Sequence, residues 1–428
     1  MLSRIKIFIV LGVVVTSLLR SQTTFPTNGA PNPVHTIYAF TNAVIHVDYE
    51  TIIPNGILVF QDGKIISAAE KVIIPAGALV YDLKGKHIYP SFIDLYSTYG
   101  FPEISKDSKT PTPPPVATAK GAYGWNPAIK ADVDAYKTFS HNKEKADELR
   151  KCGIGIVLTS HKDGIVRGSG ALVHVSNQKE NESFIKDKAA AFYSFSKGSS
   201  PELYPGSLTG AIALLRQTYY DAKWYKENSN KTEYNISLDA FNSLQTLPSV
   251  FEANDKYNAM RAAKIGTEFG VKYLIKGGGN EYQRISDMQE LLSKFIIPVN
   301  YPEALDVEDP FDAEQVSLAE LKHWEMAPCN AAEMEKNIIP FCFTSADLKE
   351  RKDFLPNIRK AIKYGLSEKT ALKALTFNPA FFVNAQTQVG SLKTGMFADF
   401  FISNKNIFDE EAIIYQHWVN GQSNVYDD

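Results

Sequence analysis

The sequence predicts an α/β protein in two parts. One is a barrel of βα repeats over residues 87–385; the other is a small β-sandwich built from both chain ends, 36–86 plus 386–428. Three observations predict this. Closely spaced runs of β-forming residues, separated by turn residues, fill the chain up to Lys86. Beyond Ile88, strand-like runs alternate with longer helical stretches, the order of a βα-repeat fold. After Gly390 the short strands return. A chain of 428 residues is ample for one large core with a second, smaller domain.

Taken in order, Arg4 and Lys6 precede an apolar run from Ile7 to Leu19, and Ser21, Gln22 and Thr23 follow. A basic start, short apolar core and polar exit make residues 1–22 read as a secretory signal, so the mature chain is expected to be exported, periplasmic or secreted. The run is shorter than the ~20 residues that cross a bilayer. An uncleaved anchor is the other reading; otherwise no membrane span is expected after cleavage. A tether follows from Thr23 to Pro33. Strands are expected over Thr36–Val47, Gly56–Phe60, Val72–Ile74 and Leu79–Leu83, with a hairpin turn at Gln61-Asp62-Gly63-Lys64.

In the barrel region, the charged helix Lys143–Lys151 feeds a buried strand, Gly153–Thr159. Helices are expected over Leu208–Tyr225, Lys256–Phe269 and Ile285–Phe295 from their apolar spacing. Strands are expected at Tyr273–Ile275, Ile296–Asn300 and Ile338–Thr344. Ser367 caps a helix that runs to Leu375, and Asn378-Pro379 breaks it. Asp399–Ser403 and Ala412–Val419 read as strands, with a turn at Asn420-Gly421. The proline-rich stretch Phe101–Thr118 reads as a surface loop, or as a flap over the barrel mouth.

A net charge of −3, with no basic stripe interleaved by aromatics, argues against nucleic acid as a partner. The three cysteines, Cys152, Cys329 and Cys342, lack Cys-x-x-Cys spacing; buried structural thiols are expected rather than a zinc-thiolate site.

Two ends of the chain carry a family pattern. In front are Asn42-Ala43-Val44-Ile45, Asp62-Gly63-Lys64-Ile65, Pro75-Ala76-Gly77 and Asp82-Leu83-Lys84-Gly85-Lys86. Then comes Tyr89-Pro90-Ser91-Phe92-Ile93-Asp94-Leu95-Tyr96-Ser97-Thr98. Behind are Ala371–Ala380, Val389–Asp399 and Trp418-Val419-Asn420-Gly421. Together they resemble the amidohydrolase superfamily, particularly its imidazolonepropionase-like and prolidase-like members. The match spans roughly the whole mature chain and is weakest from Ala189 to Leu247. It implies a TIM-like, distorted (β/α)8 barrel with a composite β-sandwich. The segment Gly164–Val173 is similar to a subgroup of exported bacterial proteins that often carry two such halves in tandem, the first poor in ligands. This chain resembles that first half standing alone.

In that superfamily the first barrel strand ends Pro-Gly-Phe-Ile-Asp-x-His-x-His. Its histidines, with a carboxylated Lys or Glu, two further histidines and an Asp, hold metal that makes hydroxide at neutral pH. Here Tyr96 and Thr98 stand in the first two histidine positions, and neither is a usual zinc or iron ligand. Glu252 and Asn254 end the expected fifth strand, Ser249–Asn254, near another histidine position. The sixth strand ends Ile275-Lys276-Gly277-Gly278-Gly279 without His. The eighth ends at Ser345-Ala346-Asp347, with Ala346 at the Asp position unless the match slips by one residue. No residue is assigned as the bridging lysine. No two of the eight histidines lie two or four residues apart, and His161 alone is well placed to reach the mouth. Ser169 is not in a Gly-x-Ser-x-Gly elbow, and the cluster Gly277–Gly279 reads first as a turn.

The expectation is therefore an amidohydrolase-like protein with an eroded metal site and no cofactor. It would act as a binding or partner subunit, with a catalytic amidohydrolase subunit or a small-molecule or peptide ligand as its partner. The alternative is a hydrolase of non-peptide or dipeptide C–N bonds working through an atypical site. That site would be zinc or another divalent metal on His161, Glu252 and Asp347, or Glu252 and Asp347 as a metal-free acid/base pair.

Overall fold

The computed structural model describes residues 35–102, 126–228 and 234–426. The expected signal, the tether and nearly all of the proline-rich stretch lie outside the described residues. The rest is a mixed α/β protein with two eight-stranded sheets.

The first sheet joins both chain ends. Its front strands are β1 (Ile37–His46), β2 (Ile52–Gln61), β3 (Lys64–Ala69), β4 (Leu79–Asp82) and β5 (His87–Pro90). The strands of the second sheet are β6 (Phe92–Ser97), β7 (Ile154–Thr159), β8 (Val166–His174), β9 (Phe184–Ser194), β10 (Ser249–Glu252), β11 (Tyr273–Lys276), β12 (Lys294–Pro298) and β13 (Phe341–Thr344). The chain returns to the first sheet through β14 (Phe400–Ser403), β15 (Ile414–Val419) and β16 (Gln422–Val425). The first sheet runs β16-β15-β14-β5-β1-β2-β3, with β4 parallel to β1. The expected sandwich is thus a single sheet with its own apolar core. Phe40, Phe60, Phe400 and Trp418 pack there ring against ring, drawn from both ends of the chain.

The β2–β3 hairpin forms where expected. Asp62 and Gly63 both take positive φ, 50° and 70°, the conformation of a type I′ turn that matches strand twist. Asn420 and Gly421 repeat it between β15 and β16.

The second sheet runs in the order β13-β12-β11-β10-β9-β8-β7-β6. Its two faces feed separate cores. Ile93, Leu95, Ile156, Leu158, Phe192, Val250, Leu274 and Ile296 face inward, while their neighbours Phe92, Ile154, Val157, Phe251, Ile275 and Phe295 join the core toward the helices. Burial on both faces explains why these strands read as continuous apolar runs.

Two features depart from the (β/α)8 expectation. First, β8 is antiparallel to both β7 and β9, so the sheet is not eight βα repeats. Second, among the described residues no ladder pairs β13 with β6, and the sheet does not close. The two end strands meet through side chains instead: Ser345 N and Oγ donate to Asp94 Oδ2 at 2.9 and 2.7 Å, and Thr344 Oγ1 donates to the Tyr96 carbonyl at 3.2 Å.

Helix Lys256–Phe269 has the expected bounds, with Asp255 capping its first turn and Gly270 at φ 71° ending it. Helix Lys143–Lys151 likewise starts from an Asn142 cap. Other boundaries moved. The helix expected over Ile285–Phe295 stops at Glu290, Leu292 turns left-handed, and β12 begins two residues earlier than expected. The strand β13 starts only at Phe341, because Ile338 takes φ 57° and Pro340 has no N–H for a ladder. Asn378-Pro379 opens a short helix, Phe377–Phe382, where a break was expected; proline is tolerated in a first turn. Val72–Ile74 is not a strand. All three cysteines are free, with Cys152 and Cys342 buried.

Candidate functional site

The C-terminal ends of β6, β10, β11 and β13 carry Tyr96, Glu252, Lys276 and Thr344. The antiparallel direction of β8 adds one more. Its first residues lie at the same end as its neighbours' last ones: Val166 pairs with Tyr193, beside the level where Ser194, Glu252 and Lys276 align. Arg167 therefore arrives at the mouth, although it begins its strand.

There the side chains form one buried network. Arg167 Nη2 lies 2.5 Å from Glu252 Oε2, Nη1 donates to Tyr96 Oη at 2.9 Å, and Nε donates to the Gly164 carbonyl at 3.2 Å. Lys276, fully buried at the end of β11, is ion-paired to Asp347 and donates to Asn254 Oδ1 at 2.9 Å. Lys162 Nζ stands between the two carboxylates, 3.0 Å from Glu252 Oε1 and 3.9 Å from Asp347 Oδ1. The Lys162 and Lys276 ammonium groups both lie 5.6 Å from the centre of the Tyr96 ring.

The electrostatics follow from this geometry. Burial alone would raise the Glu252 carboxyl, but Arg167 and then Lys162 outweigh it and hold it down at about 2. Burial pushes the Tyr96 phenol well above its ordinary value. Asn254 and Asp347 both adopt left-handed φ, 59° and 67°. Gly278 leaves no room for a side chain: a Cβ there would come within 2.2 Å of the Asn254 carbonyl. The loops after β10 and β11 are thus locked against each other.

A cleft of about 500 Å³ opens over this network, with Thr98, His161, Lys162, Arg167, Glu252 and Asn254 in its walls and Phe101 and Pro102 as its apolar side. His161 donates to or accepts from Thr138 Oγ1 at 2.8 Å and packs on the Phe101 ring with centroids 4.1 Å apart; burial lowers its pKa.

The six positions singled out in the sequence thus divide. Tyr96, Glu252, Asn254 and Asp347 join the network. Thr98 and His161 line the cleft, and no contact joins His161 to Glu252 or Asp347. Sequence reasoning missed Lys162, Arg167 and Lys276. Arg167 lies inside the glycine-rich segment Gly164–Val173 and Lys276 ends a buried strand, so a charge at an apolar strand end was the available signal.

The class of protein that this architecture defines is an amidohydrolase-fold protein. An amidohydrolase from Thermotoga maritima MSB8 matches with a TM-score of 0.70 at 19% identity, over 90% of this chain and 99% of that one. A prolidase complexed with N-methylphosphonate-L-proline gives 0.54 at 15%, over 92% and 100%. A Xaa-Pro dipeptidase with methionine bound in its active site gives 0.50 at 14%, over 91% and 100%. No protein-family model and no curated relative matches the sequence, so the likeness is one of fold.

The residues at this site do not fit the metal that the family resemblance implies. Among the described residues, no group of three His, Cys, Asp or Glu side chains converges. The two carboxylates present, Glu252 and Asp347, are already matched by three cations. A unit cation roughly 4 Å from a divalent ion, at an effective dielectric of about 20, repels it by roughly 8 kcal/mol. Three such cations outweigh the attraction of two carboxylates.

Proposed function

We propose that this chain is a non-hydrolytic protein on an amidohydrolase scaffold, exported after loss of residues 1–22, that binds a ligand or a catalytic partner subunit at its mouth. The observation that carries this reading is the replacement of metal-binding chemistry by fixed charge: Arg167, Lys162 and Lys276 stand among Glu252 and Asp347. The strand order, with Thr344 and Ser345 reaching across to Tyr96 and Asp94, supports reading the second sheet as a barrel distorted by the antiparallel β8.

The competing reading, C–N bond hydrolysis by Glu252 and Asp347, has less support. A carboxylate held at about 2 by Arg167 and Lys162 is a weak base at neutral pH. A proton accepted there would sacrifice a buried ion pair.

Metal analysis of the purified chain, paired with hydrolysis assays on Xaa-Pro dipeptides and hydantoin-like rings, tests the proposal. The expected result is substoichiometric metal and no turnover above a heat-denatured control. Stoichiometric zinc that a chelator removes together with activity would overturn it.

A further inference from the structure

Lys162 shares both of its counter-ions, Glu252 and Asp347, with other cations. Glu252 is paired with the buried Arg167, and Asp347 with the buried Lys276. The neighbouring carboxylate in the cleft wall, Asp163, is paired with Lys130 and accepts from Ser199 N and Oγ. The walls and the network beneath them thus carry Lys130, Lys162, Arg167 and Lys276 against Asp163, Glu252 and Asp347. One positive charge is in surplus among the described residues.

The most exposed of these four cations is Lys162. Arg167 spends its donors on Glu252, Tyr96 and the Gly164 carbonyl and is 2% exposed, and Lys276 is wholly buried. The Lys162 side chain is 41% exposed and lines the cleft. Its Nζ lies 3.0 Å from Glu252 Oε1 and 3.9 Å from Asp347 Oδ1. These two carboxylates engage at most two of its three N–H donors, so at least one is left for a ligand. The same cleft is lined by the Phe101 ring, Pro102 and the His161 ring, whose pKa burial lowers. A cation and flat apolar groups in one cleft suit a ligand with both features.

We infer that the cleft is a receptor for a small organic carboxylate carrying a ring or alkyl group, with Lys162 binding the carboxylate and Phe101 and His161 packing on the apolar part. This rests on the non-hydrolytic reading above. In that reading, ammonium groups receive an anion that metal would otherwise hold. Net neutralisation of the surplus charge drives binding, and the half-exposed position of Lys162 keeps the interaction salt-sensitive.

Calorimetric titration of the full chain in EDTA tests this, with benzoate, its neutral isostere benzamide and inorganic phosphate as probes. Benzoate is expected to bind one to one, at least tenfold tighter than benzamide and than phosphate. Lys162→Met should weaken benzoate at least tenfold while keeping a cooperative melting transition, and Lys162→Arg should restore most of the affinity. Equal affinity for benzoate and benzamide, or benzoate binding untouched by Lys162→Met, would refute the role of Lys162. Tighter binding of phosphate would refute the carboxylate. Failure of benzoate to bind in EDTA refutes this inference alone. Zinc-dependent binding that EDTA abolishes would bring down the non-hydrolytic reading as well.

Discussion

Glu252 is the residue on which the charge balance of the mouth turns. Its partner Arg167 is too deeply buried to find water if the carboxylate is removed. Glu252→Leu is expected to destabilise the fold by about 3–5 kcal/mol in urea denaturation, the usual cost of leaving a buried charge unpaired. Pairing it with Arg167→Met should recover most of that loss, because a matched apolar pair carries no desolvation penalty. If the double variant is as unstable as the single one, the ion pair is not what the single variant broke.

Two buried histidines set the acid limit. His417 lies fully buried, 2.7 Å from Ser91 Oγ and 3.0 Å from the Arg150 carbonyl, and burial lowers its pKa to about 4. His46 stacks on Tyr89 and contacts His87 at 3.1 Å; burial, then the His87 charge, lowers it to about 3. Both fold as neutral rings with pKa values below the unfolded 6.5. Their contribution is complete above pH 6.5 and is lost as pH falls toward their folded values. Between pH 6.5 and pH 5 the expected loss is about 2 kcal/mol for each. Glu252 acts lower, with its contribution intact above 4.5 and lost toward about 2. Urea denaturation across pH 4–7.5 should show the histidine slope, and His417→Gln should flatten its share.

At the scale of elements, β8 decides the site. The glycines that made Gly164–Val173 conspicuous have separate steric reasons. Gly168 takes φ 77°, and a Cβ there would fall 1.8 Å from the Val133 carbonyl; at Gly170 it would fall 2.4 Å from the Phe192 ring. Gly168→Ala should therefore cost more than about 2 kcal/mol and displace the adjacent Arg167. Gly77→Ala, at φ 84° with open space around it, should cost only about 1 kcal/mol. Equal melting-temperature shifts for the two would show that backbone conformation alone, and not the close approach, explains Gly168. Local elements were legible where the chemistry is local: the Asp255 cap and Gly270 stop of one helix, and the Asp62-Gly63 turn. They were misread where a left-handed residue cut an apolar run, at Leu292 and Ile338, since nothing in hydrophobic spacing marks such a residue.

For the whole molecule, the chain ends are structurally one. β14 pairs with β5, and Trp418 packs on Phe40, Phe60 and Phe400. A chain ending at residue 398 would lose β14–β16 and strip Phe400 and Trp418 from the rings of Phe40 and Phe60. It is expected to show no cooperative thermal unfolding and to lose its near-ultraviolet circular dichroism. A cooperative transition retained in that truncation would show that the front strands fold alone.

The sequence by itself determined the α/β class, the return of short strands in the tail, the starts of the five helices it marked, and the absence of histidine from the ends of β6, β10, β11 and β13. These are matters of composition and of spacing within about fifteen residues. Only the tertiary structure decided that β8 runs backwards and that Arg167 meets Glu252, 85 residues away, and Lys276 meets Asp347, 71 away. Such pairings depend on the direction and register of strands far apart in the chain. Propensity and periodicity carry no information about either, so the cations that define the mouth came into view only when the strands were laid side by side.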